Sequence, residues 1–159
     1  MKINELVIYR TFDAPRELVW QAWTEPERLM RWWGPKDFTA PVCKLDLRVG
    51  GKYLCCMRSA EGQDFWSTGT YREILPPERL VCSDSFSDEE GNVVPATHYG
   101  MTPDFPLELE ITMNLEDYKG NTRMTLRHVG IPPGEMSELC SDGWNQSFDK
   151  LAESLRSAQ

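Results

Sequence analysis

Long apolar runs are missing from this chain. No stretch of about eighteen apolar residues occurs, so no transmembrane helix and no membrane insertion are expected. Positive charge is in short supply. Lys and Arg number 17 against 25 Asp and Glu, a formal charge of −8. A domain of that sign repels phosphate backbones, which argues against a nucleic-acid partner. Histidine is scarce, with only His98 and His128. The cysteines, Cys43, Cys55, Cys56, Cys82 and Cys140, are odd in number and contain no C-x-x-C pair. Neither a disulfide framework nor a zinc site is therefore expected, and the reading is of buried thiols in a reducing cytoplasm. Also absent are a G-x-S-x-G elbow, a G-x-G-x-x-G turn and a phosphate loop, so hydrolase and nucleotide chemistry have no motif and no cofactor is implied. The opening Met1-Lys2-Ile3-Asn4-Glu5 has no apolar core of a signal peptide, in keeping with a cytoplasmic location.

What is present is ordinary for a globular domain: 159 residues, 40% hydrophobic and 26% charged. That length fits a single domain over 1–159, able to bury a core without disulfides or metals. Residues 6–12 read as a strand. Asp13-Ala14-Pro15 reads as a helix start with Asp13 as cap. Leu18, Val19, Ala22 and Trp23 share a helical stripe. Thr24 is the expected cap of a second short helix that runs to Trp32 and Trp33 and stops at Gly34-Pro35. Strands are expected over 38–47, 52–58, 65–75 and 79–86, the first two divided by Gly50-Gly51. Residues 87–106 lack periodicity and read as a disordered surface excursion or as a binding loop or lid, with His98-Tyr99-Gly100-Met101 favouring an ordered loop. Leu107 to Leu115 and Thr122 to His128 alternate strictly and form a hairpin through Lys119-Gly120-Asn121. A final helix carries Met136, Cys140, Trp144, Phe148, Leu151 and Leu155 on one stripe. Segregated strands and helices mean an α+β fold.

Several motifs resemble the START-like, or helix-grip, superfamily, in the branch named after activators of the heat-shock chaperone ATPase. They are Arg10-Thr11-Phe12-Asp13-Ala14-Pro15, Arg31-Trp32-Trp33-Gly34-Pro35, Gly50-Gly51-Lys52-Tyr53, Gly69-Thr70-Tyr71-Arg72-Glu73-Ile74 and Gly143-Trp144-Asn145-Gln146-Ser147-Phe148. The resemblance spans nearly the whole chain. It implies a curved antiparallel sheet of six to seven strands around the last helix, two short helices after the first strand, and a cavity between helix and sheet. Members include lipid carriers, hormone receptors, cyclases and chaperone partners, so fold does not fix function.

A cavity of that kind is filled by solvent or ligand, or plugged by side chains. The candidates that would line it are the tryptophans Trp32, Trp33, Trp66 and Trp144, which carry large aromatic area. With them stand Tyr53, Cys55 and Met57 from one strand face, Tyr71, Met113 and Met124 from others, and Cys140 and Phe148 from the helix stripe. His128 lies on an apolar strand face, where it could hold a ligand's polar end, form a core hydrogen bond, or serve as an acid–base residue. Gly143, inside the helix, suits either close packing or a ligand's approach. Asp46 and Arg48 are expected to form a structural ion pair. The leading expectation is a binding module for a small hydrophobic or aromatic molecule, with no catalysis assigned, as a monomer or weak homodimer. The alternatives are a chaperone partner and a cyclase- or aromatase-type enzyme using His128, with Tyr53 or Tyr71 orienting substrate.

Overall fold

Alternation along the strands decides which side chains meet the last helix. The computed structural model describes residues 4–158, so the expectation for Met1-Lys2-Ile3 lies outside the described residues. Seven strands form one antiparallel sheet: β1 (Glu5–Phe12), β2 (Thr39–Leu45), β3 (Lys52–Arg58), β4 (Asp64–Leu75), β5 (Arg79–Ser87), β6 (Leu109–Tyr118) and β7 (Asn121–Val129). Their spatial order is β1-β7-β6-β5-β4-β3-β2. Helices α1 (Arg16–Thr24) and α2 (Pro26–Leu29) follow β1, and α3 (Glu135–Ala158) lies last. This is the expected α+β helix-grip architecture.

The sheet is bent by local devices. Register shifts occur between Thr39 and Val42 in β2 and between Tyr71 and Glu73 in β4, and such bulges sharpen the right-handed twist. Gly69 in β4 has a stricter reason. A Cβ there would stand 1.8 Å from the Ser83 carbonyl oxygen and 2.5 Å from the Tyr53 ring. Only glycine lets β5 and that ring close over β4. At the β6–β7 hairpin both Lys119 and Gly120 have positive φ, 54° and 87°, the twist that a two-residue turn requires. Asn121, expected in the turn, already pairs with Tyr118.

Local expectations at the short helices need correction. Pro15, not Asp13, holds the N-cap position of α1, with no side-chain cap. Thr24 does not cap α2. Its hydroxyl donates back to the Trp20 carbonyl at 2.8 Å, and Glu25 takes the cap position, the competition with backbone that Ser and Thr often set up. The α2 helix ends at Leu29, and Trp32 and Trp33 lie beyond it, Trp32 in a turn and Trp33 in irregular chain. The segment expected to be irregular over 87–106 carries a short 3-10 helix, Ala96–Tyr99, and a bridge between Ser87 and Val93. Tyr99 anchors it. Its hydroxyl donates to the Ser87 carbonyl and accepts the Trp66 backbone N–H, and its ring packs 5.3 Å from Phe65 and 5.5 Å from Phe86.

The core occupies one end of the concave face. Phe148, Leu151 and Leu155 of α3 are buried against Ile8, Phe12, Met124 and Leu126. Arg10 of β1 adds an ion pair to Asp149 at 2.9 Å. The other half of the apolar stripe behaves differently: Met136, Cys140 and Trp144 are only half-buried. One helix face thus packs at its C-terminal half and stands clear of the sheet at its N-terminal half.

Candidate ligand cavity

The gap under the N-terminal half of α3 is a cavity of about 570 Å³. Its roof is Met136, Leu139, Cys140, Gly143 and Trp144 of α3. Its floor is Phe86 of β5, Leu109 and Ile111 of β6 and His128 of β7. Phe38, Met57 and Phe65 close one flank, and Met101 and Phe105 from the segment before β6 close another. Leu139 is 58% exposed, so the cavity reaches the surface beside it. A sealed void of this size would cost about 14 kcal/mol at about 24 cal/mol per Å³. That is the upper end of a domain's whole stability. The space is therefore one for solvent or a ligand.

Packing does not force a glycine at position 143. A Cβ there would meet only Pro35 Cγ, at 3.5 Å, so no strand presses on the helix at this point.

A chain of polar groups crosses the inner wall. Trp144 Nε1 donates to His128 Nδ1 at 3.0 Å. His128 Nε2 lies 2.8 Å from Asp84 Oδ2. The Tyr53 hydroxyl donates to Asp84 Oδ1 at 2.9 Å. An indole N–H can only donate, so Nδ1 is an acceptor and the ring proton sits on Nε2, pointing at Asp84. Both nitrogens of His128 are thereby committed. Burial first, then the Asp84 charge, hold the Tyr53 phenol well above its ordinary range, so Tyr53 remains a donor. The chain joins β3, β5, β7 and α3. Tyr53 reaches β5 only because Gly69 of the intervening strand has no side chain in its way.

The lining candidates singled out from the sequence divide into three groups, with Trp66 apart from all of them. Trp33, Met57, His128, Cys140 and Trp144 line the cavity. Tyr53, Cys55, Tyr71 and Met113 surround a separate small space of about 30 Å³, which Trp33 also borders. Trp32, Met124 and Phe148 are packed in the core; the Trp32 indole donates to the Ala22 carbonyl at 2.9 Å. Trp66 stands on the opposite face of β4 from the cavity-lining Phe65 and Ser67. Asp46 and Arg48 do pair, at 2.9 Å, on the exposed turn before β3, where such a bridge contributes little. His98 is exposed on the 3-10 helix.

Asp84 was not singled out, although its inward position was open to inference. It follows Cys82 and precedes Phe86 at spacing two, so β5's apolar face carries one carboxylate. Cys140, at the roof, has its thiol pushed up to about 11 by burial and then by the Asp84 charge. A thiol so shifted is a poor nucleophile. All five cysteines are free. Among the described residues, no group of three or more His, Cys, Asp or Glu side chains is placed to hold a metal ion. Nor is any helix among the described residues long and apolar enough to cross a membrane.

Comparison with known proteins agrees with this fold. The family model described as Activator of Hsp90 ATPase homolog 1-like protein matches residues 13–156. A crystal structure from Nitrosomonas europaea is similar over 97% of this chain and 95% of its own, with 26% identity and a TM-score of 0.79. One from Chromobacterium violaceum is similar over 94% and 96%, with 28% identity and a TM-score of 0.74. An AHSA1 protein of Silicibacter pomeroyi shares the fold, at 23% identity over 98% of this chain and 100% of its own, with a TM-score of 0.77. No curated protein matches the sequence.

Proposed function

The chain belongs to the family of Activator of Hsp90 ATPase homolog 1-like proteins, and on that premise we propose that it binds a small hydrophobic or aromatic molecule between α3 and the sheet. The observation that carries the reading is the 570 Å³ cavity itself. It is walled by Trp33, Trp144, Phe38, Phe65, Phe86 and Phe105, with few polar side chains, the composition of a small-molecule site. Trp33 and Trp144 meet edge-to-face at 5.8 Å and offer an aromatic ligand two differently oriented rings.

The test is isothermal titration with naphthylethanol, a neutral aromatic probe. Saturable binding is expected, and Gly143→Phe, which projects a ring at the cavity roof, should weaken it at least about tenfold while the fold is retained by circular dichroism. Absence of saturable heat with the native protein, or equal affinity in the folded variant, would sink the reading.

Two other functions compete. Contact with a chaperone is raised by the family's description, and stimulation of a chaperone ATPase that persists in Gly143→Phe would favour it. Catalysis by His128 as acid–base finds both ring nitrogens engaged, one by Trp144 and one by Asp84, so a reaction would first have to release one of them.

A further inference from the structure

We propose that the cavity selects ligands bearing a cationic or hydrogen-bond-donating head, an aromatic or aliphatic amine above all, and discriminates against carboxylates. This rests on the ligand-binding reading above and adds the chemical class.

The polar residues that line the cavity are Ser67, Asp84, Ser85, His128, Cys140 and Ser147. Among the described residues, no lysine or arginine lines it. Asp84 is therefore the one formally charged lining group among them. Its side chain is only 19% exposed, and buried carboxylates are normally paired with a cation. Asp84 has instead two donors without a full positive charge. Tyr53 donates to Oδ1, and His128, with Nδ1 occupied by the Trp144 indole, donates from Nε2 to Oδ2. Each carboxylate oxygen offers two acceptor directions, so acceptor capacity is left over on a residue that borders the cavity.

Donors for an anion are the scarcer resource. The Trp144 N–H is spent on His128, and the His128 and Tyr53 protons are spent on Asp84. The Trp33 indole N–H has no partner among the described residues but is shut off from solvent. The serine hydroxyls donate or accept equally well and do not discriminate. A carboxylate ligand would thus meet a like charge at short range with no free cation to offset it. An ammonium would complete Asp84's missing pair. The rings of Trp33, Trp144 and Phe86 would face its positive charge with their negative π faces. The protein's charge of −8 acts in the same direction at longer range.

The experiment uses three probes with one hydrophobic body: naphthylethylamine, naphthylethanol and naphthylacetate, each titrated calorimetrically into the full chain at neutral pH. The amine is protonated there, as a lysine is. Affinity should fall from amine to alcohol to carboxylate, with at least about tenfold between the ends, and Asp84→Asn should remove most of that ratio. Since Asp84→Asn alters a structural carboxylate as well, a second measurement uses the native protein. The carboxyl carbon resonance of Asp84 should move on adding the amine and stay in place with the alcohol. A carboxylate that binds as tightly as the amine overturns the selectivity and leaves the cavity reading standing. A preference for the amine that survives Asp84→Asn, or that leaves the Asp84 resonance unmoved, overturns the assignment to Asp84. If none of the three binds, both readings fall together.

Discussion

At the scale of single residues, what a side chain can do here is set by what already holds it. His128 looked from the sequence like the group most able to do chemistry, because it stands alone among Met124 and Leu126. Its neighbours were not legible. Trp144 comes from the last helix and Asp84 from β5, and spacing along one strand carries no record of either. Asp84 was visible in principle, as a carboxylate in the period-two face of Cys82 and Phe86, yet its flanking serines make β5 read as polar. Cys140 yields a direct prediction. With its thiol pushed up to about 11, the thiolate is about one part in ten thousand at pH 7. Its alkylation by iodoacetamide, followed by peptide mass spectrometry, should be slow at neutral pH and rise about tenfold per pH unit below 11. Rapid modification at pH 7 would show that burial and the Asp84 charge do not act on this thiol as described.

At the scale of elements, periodicity reported faces faithfully and distances not at all. The stripe from Met136 to Leu155 is a true helix face. That its second half is packed and its first half stands over the cavity depends on how far the sheet curls, which no helix pattern encodes. The curl itself depends on bulges and on Gly69. The sequence showed Gly69 as part of a motif, but the reason for it is a close approach from Ser83 and Tyr53, residues fourteen and sixteen positions away. Gly69→Ala should accordingly lower stability by about 3 kcal/mol, at the upper end of overpacking costs, because the offending atom at 1.8 Å is backbone. Urea unfolding checks this. A loss below about 1 kcal/mol would mean that β4 and β5 can part without harm. The short helices show the opposite limit: Asp13 and Thr24 are good capping types, but Pro15 and Glu25 occupy the cap positions because the chain's entry angles, not the residue types, choose them.

At the scale of the molecule, the order of elements and the family resemblance together were enough for the fold. The seven-stranded sheet, the two early helices and the gripping helix all follow from them. The state of the space inside was a different matter. Six tryptophans and seven methionines could have plugged the sheet's concavity. In the structure the large side chains are divided between both tasks: Trp32, Met113, Met124 and Phe148 fill the core end, while Trp33, Trp144 and Met57 line the open end. Volume is a property of the assembled whole, and the same residue types serve either outcome.

The central claim, an open cavity that receives a hydrophobic ligand, is tested most directly by a crystal structure of the protein grown with naphthylethanol. The account predicts ring density between Trp144, Trp33 and Phe86, with the hydroxyl directed toward Asp84. A cavity closed by inward collapse of Trp33, Met101 or Phe105, with no probe inside, would contradict it.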